Sequence, residues 1–148
     1  MKNLLISASI MLLVIPACGW GNFNSAVALD NQGANMANCG KYEDALTDFD
    51  KAIRMHPKLA AAWYNKGLAL AELGRYEDAI KAYARAVEIR PGFAWAWNNM
   101  GAVLIKTGQY KAALKAVDKA IEINPGMKEA RDNKNFILKN LDKYKGTI

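Results

Sequence analysis

The chain has 148 residues, 52% of them apolar, with a formal net charge of +6 and one histidine. That leaves room for one compact domain with short appendages, and much of the apolar content is alanine, the strongest helix former. Two cysteines and one histidine do not make a zinc site, and no nucleic-acid motif accompanies the basic surplus, half of which sits in residues 128–148.

The chain opens with Lys2 and an apolar run from Leu4 to Ile15, broken only by Ser7 and Ser9 and stopped by Pro16. Such a run reaches about 18 Å as a helix, short of the roughly 30 Å hydrocarbon core. Residues 1–17 therefore read as an export leader rather than a membrane span. Ile15-Pro16-Ala17-Cys18 resembles the lipobox of bacterial lipoproteins, in which the Cys becomes the acylated first residue; Pro16 departs from that pattern. The resemblance implies membrane anchoring through lipidated Cys18. Two alternatives stand beside it: cleavage at Ala26-Val27-Ala28, which would cut into the first repeat, and an uncleaved anchor. All three expect the rest of the chain in the cell envelope, lipid-anchored or else periplasmic or secreted; an intracellular start at a later Met would reverse that.

Residues 18–25, which include the Gly/Asn-rich GWGNFNS, read as a linker. Cys39 falls in the first interhelical turn. It is an unpaired thiol if Cys18 is acylated, and a Cys18–Cys39 bridge is compatible with a retained Cys18.

From residue 26 the sequence repeats itself. Pro57, Pro91 and Pro125 are 34 apart, as are Gly33, Gly67 and Gly101, then Gly40, Gly74 and Gly108, then Tyr42, Tyr76 and Tyr110. A period of this size means stacked copies of one supersecondary unit. Each copy reads as two amphipathic helices, A and B, spanning 26–59, 60–93 and 94–127. Pro ends helix B, because it lacks an N–H and disfavours helix at the residue before it. Glu43-Asp44 and Glu77-Asp78 sit in first turns of B helices, where the dipole favours negative charge; the third copy has Lys111-Ala112 there. Gly67 facing Ala79, like Gly33 with Ala45 and Gly101 with Ala113, would let the two helices of a copy approach closely. Trp63 and Trp97 read as plugs between copies. The rows Leu46/Ile80/Leu114 and Ile53/Val87/Ile121 continue that seam. Residues 128–144 align as one more helix A, with Arg131 for the Trp and Asn135 for the Gly, and read as a polar cap. Residues 145–148 form a tail.

These residues resemble the tetratricopeptide repeat family, whose pattern here is Leu29, Gly33, Met36, Ala45, Phe49, Ala52, Pro57. It recurs as Trp63, Gly67, Leu70, Ala79, Tyr83, Ala86, Pro91, and as Trp97, Gly101, Leu104, Ala113, Val117, Ala120, Pro125; only Val117 misses its aromatic. The resemblance implies an all-α fold, a right-handed α-solenoid of about three hairpins and a capping helix. It also implies that A helices line a concave groove that binds other proteins. The groove residues carried over are Asn31, Tyr64, Asn65, Leu68, Trp95, Asn98, Asn99 and Asn133, with Asp30, Ala34, Glu72, Ala102 and Lys106 around them. Asn31, Asn65, Asn99 and Asn133 form a 34-residue ladder of amides able to pair with a peptide backbone. Trp95, where a polar residue usually stands, is expected either to anchor a partner or to lie against the preceding B helix near Phe93. Family members that clamp the acidic tails of heat-shock chaperones need Lys and Arg here. Asp30 and Trp95 stand where the two Lys would, Asn99 where the Arg would and Ala34 where an Asn would, and only Asn65 fits, which argues against that role.

No catalytic constellation is apparent: His56 precedes Pro57 at a helix end, and the carboxylates alternate with Lys and Arg. The expectation is a binding scaffold with no cofactor, no metal and no enzymatic activity. The alternatives are a self-associating envelope component or an accessory subunit of a larger complex.

Overall fold

A computed structural model describes residues 18–145, with side chains from 23 to 141. The described residues form seven helices: α1 (Cys18–Asn38), α2 (Tyr42–Met55), α3 (Ala60–Glu72), α4 (Tyr76–Ile89), α5 (Ala94–Lys106), α6 (Tyr110–Ile123) and α7 (Lys128–Lys145). Helices α1/α2, α3/α4 and α5/α6 are hairpins, and α7 lies against the last of them. The leader, residues 1–17, lies outside the described residues, as do the side chain of Cys18 and the end of the tail. Among the described residues no helix is long and apolar enough to cross a membrane.

Two kinds of turn set the architecture. Within each hairpin a glycine at positive φ (Gly40 76°, Gly74 73°, Gly108 75°) ends helix A. The Gly74 N–H donates to the Ala71 carbonyl and the Arg75 N–H to the Leu70 carbonyl, at 3.1 and 2.8 Å, which is the Schellman arrangement. Between hairpins Pro57, Pro91 and Pro125 occupy the second position of a tight turn, closed by the Leu59, Phe93 and Met127 N–H groups donating to the carbonyls of His56, Arg90 and Asn124.

The seam between hairpins carries a repeated polar tie. The indole N–H of Trp63 donates to the Pro57 carbonyl at 3.0 Å, and that of Trp97 to the Pro91 carbonyl at 2.9 Å. Arg131 Nη1 makes the same bond to the Pro125 carbonyl at 2.7 Å, so the residue that replaces the Trp in α7 keeps its donor. Lys66 pairs with Asp50 at 2.6 Å, and Lys134 with Asp118 at 2.8 Å, again 68 residues on. Alanines at matching positions, Ala45, Ala79 and Ala113, are fully buried, as are Ala52, Ala86 and Ala120.

Two expectations are corrected. Residues 18–25 are not a linker but the first turns of α1. No proline separates Pro16 from Pro57, propagation from an existing helix is cheap, and Phe23 sets its ring edge-on against His56 at 5.1 Å. Gly67 faces chiefly the Tyr83 ring rather than Ala79: a Cβ there would sit 2.6 Å from Tyr83 Cε1. Gly33 faces the Phe49 ring and Gly101 the Val117 side chain, and both also meet the expected alanine, with the Ala45 carbonyl 3.1 Å and the Ala113 carbonyl 3.4 Å from an added Cβ. Cys39, one of the two cysteines, is free and exposed, while the Cys18 side chain lies outside the described residues.

Candidate functional site: the inner face of the A helices

The A helices approach one another in succession, α1 with α3, α3 with α5 and α5 with α7, whereas the backbones of α2, α4 and α6 stay farther apart. The A helices therefore line the tight, inner side of the array. A row of side-chain hydrogen bonds runs along it. Asn65 Nδ2 donates to Asp30 Oδ1 at 2.9 Å, Asn99 Nδ2 to the Tyr64 hydroxyl at 3.1 Å, and Asn133 Nδ2 to Asn98 Oδ1 at 3.0 Å. Asn98 Nδ2 in turn donates to Asn99 Oδ1 at 3.3 Å. A continuous chain of bonds thus crosses from α7 through α5 to α3.

The asparagine ladder is therefore joined to itself. Each amide from Asn65 onward binds the residue 35 positions earlier, and Asn31, on the first helix A among the described residues, is exposed and carries no such bond. An amide already donating to its neighbour offers a partner its second N–H and its oxygen. Sequence reading placed the asparagines on one face but missed their acceptors. Asp30, Tyr64 and Asn98 share the 34-residue interval, yet as a carboxylate, a phenol and an amide they look unrelated until acceptor chemistry is compared.

Burial perturbs two of these groups. Asp30 is buried to 5% exposure, which raises its carboxyl above the usual range, while the bond from Asn65 opposes the rise. The Tyr64 phenol is also raised by burial and lowered by its bond from Asn99. Its ring lies 4.8 Å from that of Phe93 and 6.0 Å from that of Tyr83, so Tyr64 is anchored from behind.

Residues three or four positions from each ladder asparagine share its helix face. Leu68, three past Asn65, is half-buried; Phe136, three past Asn133, is 50% exposed; Trp95, four before Asn99, is 47% exposed. Trp95 is absent from the cluster that gathers Phe93, Tyr64 and Trp97 about Ala86, Val87 and Ala96. Of its two expected placements the structure takes the outward one. Two depressions lie off this face, one of about 590 Å³ beside Gly108 to Ala112 and Leu141, and one of about 340 Å³ beside Trp63, Lys66 and Asp78. Neither includes a ladder residue.

Comparison with known proteins follows this geometry. Two family models, both described as tetratricopeptide repeat, match residues 39–94 and 70–132. Comparison with curated protein sequences gives no match. Among solved structures, the TPR domain of Arabidopsis OM64 is similar with a TM-score of 0.78 and 20% identity, covering 81% of this chain and 99% of that one. The first TPR of Spaghetti (RPAP3), bound to the HSP90 peptide SRMEEVD, gives 0.79 and 22% over 80% of this chain and 94% of that one. The second TPR domain of human RPAP3, in complex with the HSP70 peptide SGPTIEEVD, gives 0.76 and 22% over 79% and 98%. At these identities the likeness is one of fold.

Proposed function

The chain belongs to the tetratricopeptide repeat family, and from that premise we propose that it is an interaction module holding a peptide or helix of a partner protein along its inner face. The observation that carries this reading is Trp95, 47% exposed on the ladder face. An indole left outside the core is costly in water, and aromatic residues dominate interface energetics. Tyr64 and Leu68 lie on the same face one repeat earlier and extend the surface. The peptide complexes of the RPAP3 domains support a peptide-holding use of this fold.

We also propose that the module acts outside the cytoplasm, tethered through Cys18. The leader composition supports export. The burial of Ala26 at 0% exposure favours processing ahead of α1 over cleavage at Ala26-Val27-Ala28, which would remove a core residue. Crosslinked pull-down from the native envelope tests the first proposal: wild-type chain retains partner and Trp95→Ala loses it with unchanged helical content. Equal recovery by both would remove Trp95 from the account. Mass measurement of the mature N-terminus tests the second, with an acylated Cys18 expected and an unprocessed Met1 contradicting it.

A further inference from the structure

The inner face differs in charge from the rest of the molecule. Positions on the ladder face, taken one before, four before, three after and seven after each asparagine, carry Asp30, Glu72, Glu129 and Asp132 against Lys106 alone. That is a formal −3 within a chain of +6. The single base is turned aside, with Lys106 Nζ 5.5 Å from the centre of the Tyr76 ring at the start of α4. Of the acids, Asp132 pairs with Lys128 at 3.6 Å; Asp30, Glu72 and Glu129 have no ion-pair partner among the described residues. Elsewhere on the molecule several acids are matched by lysines, Asp50 by Lys66, Glu122 by Lys119 and Asp118 by Lys134, while Lys41, Lys58, Lys111, Lys115 and Lys139 carry no acid partner among the described residues. Unmatched negative charge and exposed rings therefore share one face, Trp95 at 47% and Phe136 at 50% exposure.

We propose that the partner segment is a basic amphipathic one, presenting Lys or Arg to these carboxylates and apolar side chains to Trp95 and Phe136. This rests on the reading of the inner face as the binding surface and adds the sign of its ligand. Complementary charge steers encounter and rejects wrong partners, since like charges brought together cost several kcal/mol. The peptides held by the RPAP3 domains end in Glu-Glu-Val-Asp, the opposite sign. Asp30 adds a specific contact. Its second carboxylate oxygen carries no hydrogen bond from the described residues, and the equivalent positions in later repeats hold the neutral Tyr64 and Asn98. A carboxylate in that place gains from a cation where a phenol or amide does not.

The test uses the full chain and three labelled synthetic peptides of about 16 residues, some 24 Å as a helix. They share one leucine face and carry Lys, Gln or Glu at every polar position. Fluorescence anisotropy should show the Lys peptide binding at least about tenfold tighter than the Gln peptide, the Glu peptide weakest, and the preference shrinking with salt. Glu72→Gln/Glu129→Gln/Asp132→Asn should erase the preference, and Glu43→Gln/Glu77→Gln on outer helices should leave it intact. Trp95→Ala, at an exposed position, should weaken all three peptides. Equal binding of the three peptides, with Trp95→Ala weakening each, would overturn the charge inference and keep the groove reading. Binding indifferent to Trp95→Ala would overturn both, and no binding by the Lys peptide would overturn the charge inference.

Discussion

Replacing Gly67 by alanine sets two effects of opposite sign against each other in the middle of α3. Helix propensity favours the change by about 1 kcal/mol. Against it, the new Cβ would lie 2.6, 2.7 and 3.0 Å from Cε1, Cδ1 and Cζ of Tyr83, where carbon pairs prefer about 3.5–4.0 Å. Tyr83 is 1% exposed, and the Tyr64 ring lies 6.0 Å from it, so the ring has little room to retreat. The contact is with three atoms of a rigid ring rather than the tip of a flexible chain. Overpacking of this kind costs about 1–3 kcal/mol, so Gly67→Ala should be destabilising by about 1 kcal/mol net. Urea unfolding followed by far-UV circular dichroism would measure it as a lower midpoint at unchanged slope. Gly92→Ala is the control: nothing lies within 4 Å of its Cβ and its φ is not positive, so it should be neutral or stabilising by about 0.5 kcal/mol. Tyr83→Leu should relieve much of the cost in the Gly67→Ala background. A raised midpoint for Gly67→Ala alone would refute the reasoning, because it would mean the ring gives way and propensity wins.

The remaining predictions concern the ties between repeats. Trp97→Phe keeps a ring but loses the indole bond to the Pro91 carbonyl, and should cost about 1 kcal/mol in the same unfolding assay; no loss would make that bond incidental. Asn65→Ala, which strips a bond from a buried carboxylate, should cost about 1.5–3 kcal/mol at pH 7, more than Asn99→Ala at about 0.5–1.5 kcal/mol. The reverse order would contradict an ionised Asp30 in that bond. Because burial raises the Asp30 carboxyl above 3.8, the folded state binds its proton more tightly than the unfolded chain does. Stability therefore falls as pH rises from 3.8 through the folded value. Asp30→Asn should stabilise at pH 7, with the gain fading toward pH 3.8; a pH-independent difference between the two proteins would refute this.

The repeat period and the 34-residue recurrence of the asparagines were legible in the sequence because they rest on spacing, while the inner face they line came from the family resemblance. What needed coordinates was the register between neighbouring helices. Periodicity places Gly67 on the face toward α4 but does not choose between Ala79 and Tyr83, which are one turn apart on that helix. The same limit hid the ladder's bonds: Asn65, Asn99 and Asn133 were visible, but that each reaches back to the residue before the previous asparagine depends on the stagger of adjacent A helices. Arg131 looked like the loss of a tryptophan, because ring size was compared and the N–H donor was not. The early start of α1 escaped notice since GWGNFNS has poor intrinsic propensity, and the contact of Phe23 with His56 lies 33 residues away along the chain.

The central claim is that the A helices, not the B helices, present the surface that takes a partner. A photoactivatable side chain placed at position 95 on α5, and in a second protein at position 115 on the exposed face of α6, tests it most directly. Irradiated in the cells that make the protein, the position-95 protein is predicted to give a discrete adduct that excess Lys peptide suppresses, and the position-115 protein none. An adduct from position 115 alone, or one from position 95 that the peptide leaves untouched, would contradict the account.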